Sequence, residues 1–146
     1  MNRQQLWGLM LLAAVAMYLW KGSDVKQHRS TREAGPNVLL ITLDTTRADA
    51  IGAYGGDNET PHIDRLAAEG TRFTQAVSTA PITQPAHLGI LSGEPPYRSG
   101  VVANGTDIGD RPGLLSRRLQ SEGWVTGGFV SAYPLTRQFG WAHGFD

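Results

Sequence analysis

No cysteine occurs anywhere in the 146 residues, and the formal net charge is zero. The first absence excludes disulfides, thiolate-bound metal and thiol nucleophiles. The second, with only 18% charged residues, leaves no basic stripe of the kind nucleic-acid-binding domains carry, so no nucleic-acid partner is expected. Long hydrophobic runs are also lacking. The longest uncharged apolar stretch, residues 6–20, is five short of the ~20 a spanning helix needs. Glycine, by contrast, is abundant at 18 residues, which favours a loop-rich α/β chain over a helical bundle.

The apolar stretch divides the chain. Flanked by Arg3 and Lys21, it suits a signal-peptide core, and Ala14-Val-Ala16 offers a small-residue cleavage site. Residues 17–20 beyond that site stay apolar and include Tyr18 and Trp20, which favours an uncleaved anchor with aromatics at the interface. Lys21, Lys26, Arg29 and Arg32 would hold the following domain in the cytoplasm by the positive-inside rule. The expectation is nevertheless export, to a periplasmic or extracellular location with a membrane anchor. A buried core helix is the alternative. Residues 1–21 are thus expected to be an anchor or signal peptide, 22–35 a polar linker, and 36–146 a globular domain.

That domain opens with the apolar run Asn37-Val-Leu-Leu-Ile-Thr-Leu43, in which residues 38–43 suit a buried strand of a parallel sheet covered on both faces. Thr60-Pro61 then reads as a helix start, with Ile63, Leu66 and Ala67 on the apolar face and Gly70 closing it. Residues 71–77 alternate like a short strand. A second helix is expected over 85–92, started by Pro85 and stopped by Gly93. A third is capped by Asp110, carries Leu114, Leu115 and Leu119, and ends at Gly123. Residues 124–131 make the last strand. This order suggests an α/β fold with right-handed crossovers. Three strands make a small sheet with open edges, and the chain stops without a closing helix or polar tail, so the expectation is the N-terminal part of something longer.

Two residues carry the chemistry. Asp44 stands at the C-terminal end of the first expected strand, and Thr83 stands at the start of the second expected helix. Ligands of α/β sheets bind outside the carboxyl ends of the strands, where such groups meet. A threonine hydroxyl needs a base or metal to act as nucleophile at neutral pH. Free N–H groups and the dipole at a helix N-terminus would stabilise the alkoxide and bind an anionic ester. A divalent cation held by Asp44 would polarise that ester. Hard oxygen ligands suit Ca²⁺ first, then Mg²⁺ or Mn²⁺, and added histidines would turn the choice toward Zn²⁺. His87, one turn on, is a candidate for substrate or metal contact or a structural histidine. Arg47 and Asp49 read as a local ion pair. Asn58-Glu-Thr60 and Asn104-Gly-Thr106 match the glycosylation sequon, which matters only in a eukaryotic secretory pathway.

Four blocks resemble the N-terminal portion of the sulfatase family, in the alkaline phosphatase superfamily. They are residues 36–49 with Gly52 and Tyr54-Gly55; residues 60–73; Ala80-Pro-Ile-Thr-Gln-Pro-Ala-His-Leu-Gly-Ile-Leu-Ser-Gly93 with Gly100-Val101; and residues 114–126 with Gly144-Phe-Asp146. The resemblance implies a large α/β domain with a mostly parallel central sheet, and metal-dependent hydrolysis of sulfate or phosphate esters. By position, Asp44 would be a metal ligand, and Thr83 the nucleophile that also touches the metal. His87 stands where the family places an arginine and would help stabilise developing charge.

The chain departs from the family pattern at three points. Sulfatases carry cysteine or serine, converted to formylglycine, where Thr83 stands, and threonine cannot become formylglycine. Thr-x-Pro-x-His is closer to the phosphodiesterase branch, where threonine attacks directly. Thr45 replaces a second aspartate, and Ser131 and Tyr133 occupy the stretch where a lysine and a histidine are expected. A phosphodiesterase or phosphonate monoester hydrolase on the same scaffold is therefore the nearest alternative, and a non-catalytic, membrane-tethered module is another.

Overall fold

The computed structural model describes residues 35–146. The apolar stretch at 6–20, and with it the anchor and linker expectations, lies outside the described residues. Among the described residues, no helix is long and apolar enough to cross a membrane.

Four helices organise this part of the chain: α1 (Pro61–Glu69), α2 (Thr83–Ser92), α3 (Pro96–Ser99) and α4 (Leu115–Ser121). Single 3₁₀ turns at Ala48–Ala50, Gly52–Tyr54, Tyr133–Leu135 and Arg137–Phe139 fill the connections. α1 begins as its sequence predicts, with Thr60 at the N-cap position and Pro61, whose N–H would be unpaired anyway, just inside. The Thr60 hydroxyl does not cap the helix. It accepts from the Gly52 N–H at 2.9 Å and donates to Asp64 at 2.8 Å, and Asp64 also accepts from the Ala53 N–H at 2.7 Å. This ties α1 to the turn before it. Gly70 ends α1 in an extended rather than left-handed conformation, φ −113°.

α2 starts two residues earlier than Pro85 implies. Pro85 falls in the first turn, where helix N–H groups have no intrahelical partner, so its missing donor costs nothing there. Gly93 stops α2 in the left-handed conformation, φ 72°. α4 begins at Leu115 with Leu114, not Asp110, at its N-cap position. The Asp110 carboxylate instead accepts from Arg117, at 2.6 Å from Nη2 and 3.0 Å from Nε. That leaves residues 111–114 as a turn.

The core gathers around α2. Leu88, Val101, Ile108, Leu114, Leu135 and Trp141 are buried together, with Leu91, Ala132 and Phe139 packed at the margin. Leu88 is fully enclosed, a contribution of about 1.5–3 kcal/mol. Tyr133 meets Phe139 edge-on at 5.4 Å. Gly89 lets the preceding loop close on the helix: a Cβ there would sit 2.3 Å from Thr79 Oγ1.

The three expected strands are not formed among the described residues. Residues 38–43, 71–77 and 124–131 contain no paired strand. Residues 38–43, expected to be buried, are exposed, with Leu39 at 83%. Val77 and Phe129 are equally open at 88% and 100%. A strand is defined by its neighbour, and no ladder joins these segments. Their apolar patterning is present, but no strand ladder joins them among the described residues; in the last segment Thr126 is buried and exchanges hydrogen bonds with Asp146 instead.

Candidate active site at the start of α2

Asp44 and Thr83 meet. Thr83 Oγ1 donates to Asp44 Oδ2 at 2.9 Å across 39 residues of sequence. The carboxylate is exposed and the hydroxyl half-buried, so both face a surface a substrate can reach. Asp44 reaches this place because the chain turns sharply behind it. Thr45 adopts φ 59°, a left-handed conformation that a β-branched residue rarely takes. Such strain costs on the order of 1–3 kcal/mol and is characteristic of functional sites. Thr46 Oγ1 reaches back toward the Asp44 carbonyl at 3.4 Å.

His87 is buried at 8% exposure, and both ring nitrogens are engaged. Nδ1 lies 2.8 Å from the Thr83 carbonyl, and Nε2 lies 3.1 Å from Thr42 Oγ1. A carbonyl only accepts, so Nδ1 carries the proton in the first bond, and Nε2 shares the second bond with a hydroxyl that can donate or accept. His87 thus straps the segment bearing Asp44 to the backbone of Thr83. The sequence points to His87 but gives no sign of Thr42, whose hydroxyl lies two residues before Asp44.

The helix start differs from the expected row of free amides. Pro85 has no N–H, the Ala86 N–H already bonds to the Ile82 carbonyl, and the Gln84 N–H donates to Asn104 Oδ1 at 2.9 Å. The Thr83 N–H is left without a partner among the described residues, beside the nucleophile candidate itself. One amide and the helix dipole therefore remain for an anion.

Arg47 and Asp49 pair as the sequence implies, with Nε at 2.9 Å and Nη2 at 2.5 Å from the two carboxylate oxygens. That hydrogen bond holds the Asp49 carboxyl below the ordinary range, and the pair is spent locally. Ser131 and Tyr133 are exposed, and no hydrogen bond joins their side chains to Asp44 or Thr83 among the described residues.

The match to the sulfatase family model runs over residues 36–146, essentially the whole described chain. The chain belongs to the sulfatase family. The sulfatase domain is of the alkaline-phosphatase-like α/β class. Among curated sulfatases, the chain is 44% identical to rat steryl-sulfatase over 72 residues, which is 49% of this chain and 12% of that protein. It is 36% identical to human arylsulfatase D over 104 residues, 63% of this chain and 18% of that one. With the N-acetylgalactosamine-6-O-sulfatase of Bacteroides thetaiotaomicron it shares 29% over 125 residues, 82% of this chain and 24% of that one. The chain therefore spans an eighth to a quarter of the length of these relatives. No solved structure matches it.

Sulfatases generally depend on a divalent metal ion. Asp44 and Thr83 present two convergent hard oxygens, which suits part of the shell of Ca²⁺ or Mg²⁺. No group of three or more metal-ligating side chains occurs among the described residues. Since Ca²⁺ takes about 6–8 oxygens, this pair supplies only a fraction of a site.

Proposed function

We propose that the protein is a sulfatase-like, metal-dependent hydrolase of sulfate esters, in which Thr83 is the nucleophile and Asp44 a metal ligand. The observation that carries this reading is the 2.9 Å hydrogen bond from Thr83 Oγ1 to Asp44 Oδ2. It joins a polarised hydroxyl to a carboxylate at an accessible helix start, within a chain of the sulfatase family. A divalent ion, Ca²⁺ first among the candidates, would neutralise the ester oxygens when bound.

The chain's own residues supply the rest. Asp44 accepts the Thr83 proton's hydrogen bond and keeps the hydroxyl lone pairs turned outward. Thr83 Oγ1 attacks sulfur and forms the new S–O bond as the S–O bond to the alcohol breaks; the Thr83 proton passes by way of Asp44 Oδ2 to the departing oxygen, which leaves as the alcohol. Water then attacks the sulfur of the threonine sulfate ester, one of its protons restoring the Thr83 hydroxyl, and hydrogen sulfate leaves and gives its remaining proton to solvent. The α2 dipole and the Thr83 amide face the developing charge. His87 holds the Thr83 carbonyl and fixes the direction in which the side chain leaves the backbone. The surrounding sheet would be the mostly parallel one of the family, and the domain would sit outside the cytoplasm on an N-terminal anchor.

A second reading, phosphodiester or phosphonate monoester hydrolysis, is favoured by the threonine itself, which attacks without prior conversion. Full-length protein assayed on p-nitrophenyl sulfate and bis-p-nitrophenyl phosphate decides between them. The sulfate ester should be turned over faster, chelator should abolish the activity, and Thr83→Ala should lose at least a thousandfold while unfolding at the same temperature. Preference for the phosphodiester replaces the first reading with the second. Undiminished activity in Thr83→Ala removes the nucleophile assignment.

A further inference from the structure

α2 lacks the residue that ordinarily caps a helix. Ile82 occupies the N-cap position and has no side-chain oxygen to offer the second or third helical N–H. Asn104, twenty residues on, fills that role from outside: its Oδ1 accepts from the Gln84 N–H at 2.9 Å. The contact is reciprocal. The Gln84 side chain, fully enclosed, runs back to the loop bearing Asn104. Its Oε1 accepts from the Gly105 N–H at 2.7 Å and the Thr106 N–H at 3.2 Å, and its Nε2 donates to the Thr106 carbonyl. One glutamine thus satisfies three backbone groups of a turn, and that turn returns a side-chain acceptor to the glutamine's own amide. Gln84 is the residue next to Thr83.

We propose that the Gln84–Asn104 clasp is the positioning device for the Thr83 hydroxyl. This rests on Thr83 being the nucleophile. The clasp fixes the peptide between Thr83 and Gln84 at its Gln84 N–H. His87 fixes the same peptide at the Thr83 carbonyl, 2.8 Å from Nδ1. The plane that sets the direction of the Thr83 side chain is therefore held at both its donor and its acceptor. An unclasped helix start frays, and a hydroxyl misplaced by ~1 Å loses about a hundredfold in rate. Gln84 and Asn104 touch no reacting atom in this scheme; they act through Thr83. Asn104 is exposed, so its replacement leaves the core intact.

The test compares Asn104→Leu, which removes the acceptor, with Asn104→Asp, which keeps an oxygen in its place, in the full-length protein. Two quantities are read: amide hydrogen exchange at residues 83–86, and kcat and KM on the ester the wild type prefers. Asn104→Leu should lose exchange protection at Gln84 and at least tenfold in kcat. KM should move less than threefold and the unfolding temperature should hold. Asn104→Asp should recover both exchange protection and kcat. Lost protection with unchanged kcat overturns the positioning role, and retained protection overturns the clasp itself. A fall in kcat that tracks a fall in unfolding temperature assigns Asn104 to stability and overturns the proposal as well. A wild type with intact protection but no metal-dependent esterase activity removes the reading of Thr83 on which the proposal stands, and the proposal falls with it.

Discussion

Replacing Gly89 with alanine sets two opposed effects against each other inside the helix that carries Thr83. Alanine in a helix interior is favoured over glycine by about 0.8–1 kcal/mol. The added Cβ, however, would lie 2.3 Å from Thr79 Oγ1 and 3.3 Å from both Thr79 Cβ and Cγ2. Overpacking of this kind costs about 1–3 kcal/mol. Thr79 is exposed, so its hydroxyl can swing aside, but the approach to its Cβ remains, which places the cost near the lower end of that range. Gly89→Ala should therefore be neutral to about 1 kcal/mol destabilising. In a Thr79→Ala background, where Oγ1 and Cγ2 are gone, the same substitution should stabilise by about 0.5–1 kcal/mol. Chemical denaturation of the four proteins of this double-mutant cycle measures the coupling, about 1 kcal/mol or more in this reasoning. Equal effects of Gly89→Ala in the two backgrounds would refute the close approach of the 78–82 loop to α2.

Thr45→Asn should raise stability by about 1 kcal/mol, since asparagine tolerates the left-handed φ of 59° that threonine resists; thermal unfolding measures it, and a loss would show that the Thr45 conformation carries no strain. The Arg117 hydrogen bond holds the Asp110 carboxyl below its ordinary range, with further help from the Arg117 charge and His143. A depressed carboxylate contributes stability above its unfolded value near ~3.9 and loses it as pH falls through the lower folded value. Asp110→Asn should therefore flatten the acid limb of the stability curve below about pH 4, measured by circular dichroism; an unchanged limb would show that the pair carries no linkage.

The sequence made the site legible where its signals are local. Pro61, Gly93 and the Arg47–Asp49 pair each act over a few residues, and each stands as its chemistry implies, while Thr60 holds the N-cap position but turns its hydroxyl to Gly52 and Asp64. The meeting of Asp44 and Thr83 across 39 residues was legible for a different reason: a strand end and a helix start are where an α/β fold gathers its ligand-binding groups. Asn104 was not legible as a cap. Its neighbours Gly105 and Thr106 suggest a turn or a sequon, and no local pattern tells that its oxygen ends at the amide of Gln84. The early start of α2 follows from that same contact, so the misplaced boundary and the missed residue have one cause. Asp110 shows the reverse case. Its position suits a cap, but Arg117 offers a charged, two-pronged partner that a backbone amide does not match. The strand segments carry their alternation and apolar content in the sequence, yet pairing is a long-range property that such patterning does not encode, and no ladder joins them among residues 35–146.

Every buried hydrophobic residue of the core lies between Leu88 and Trp141. The segment bearing Asp44 contributes none of them, and no backbone hydrogen bond outside the helices joins residues 35–73 to residues 79–146. Two side-chain contacts do that work at the site, Thr83 to Asp44 and Thr42 to His87. Consolidation of the interior and the meeting of Asp44 with Thr83 are therefore separable events. A preparation can show full helical signal and a cooperative melt of its core while Asp44 is absent from its post. Specific activity per folded molecule, rather than folded fraction, is then the quantity that reports whether Asp44 has reached Thr83.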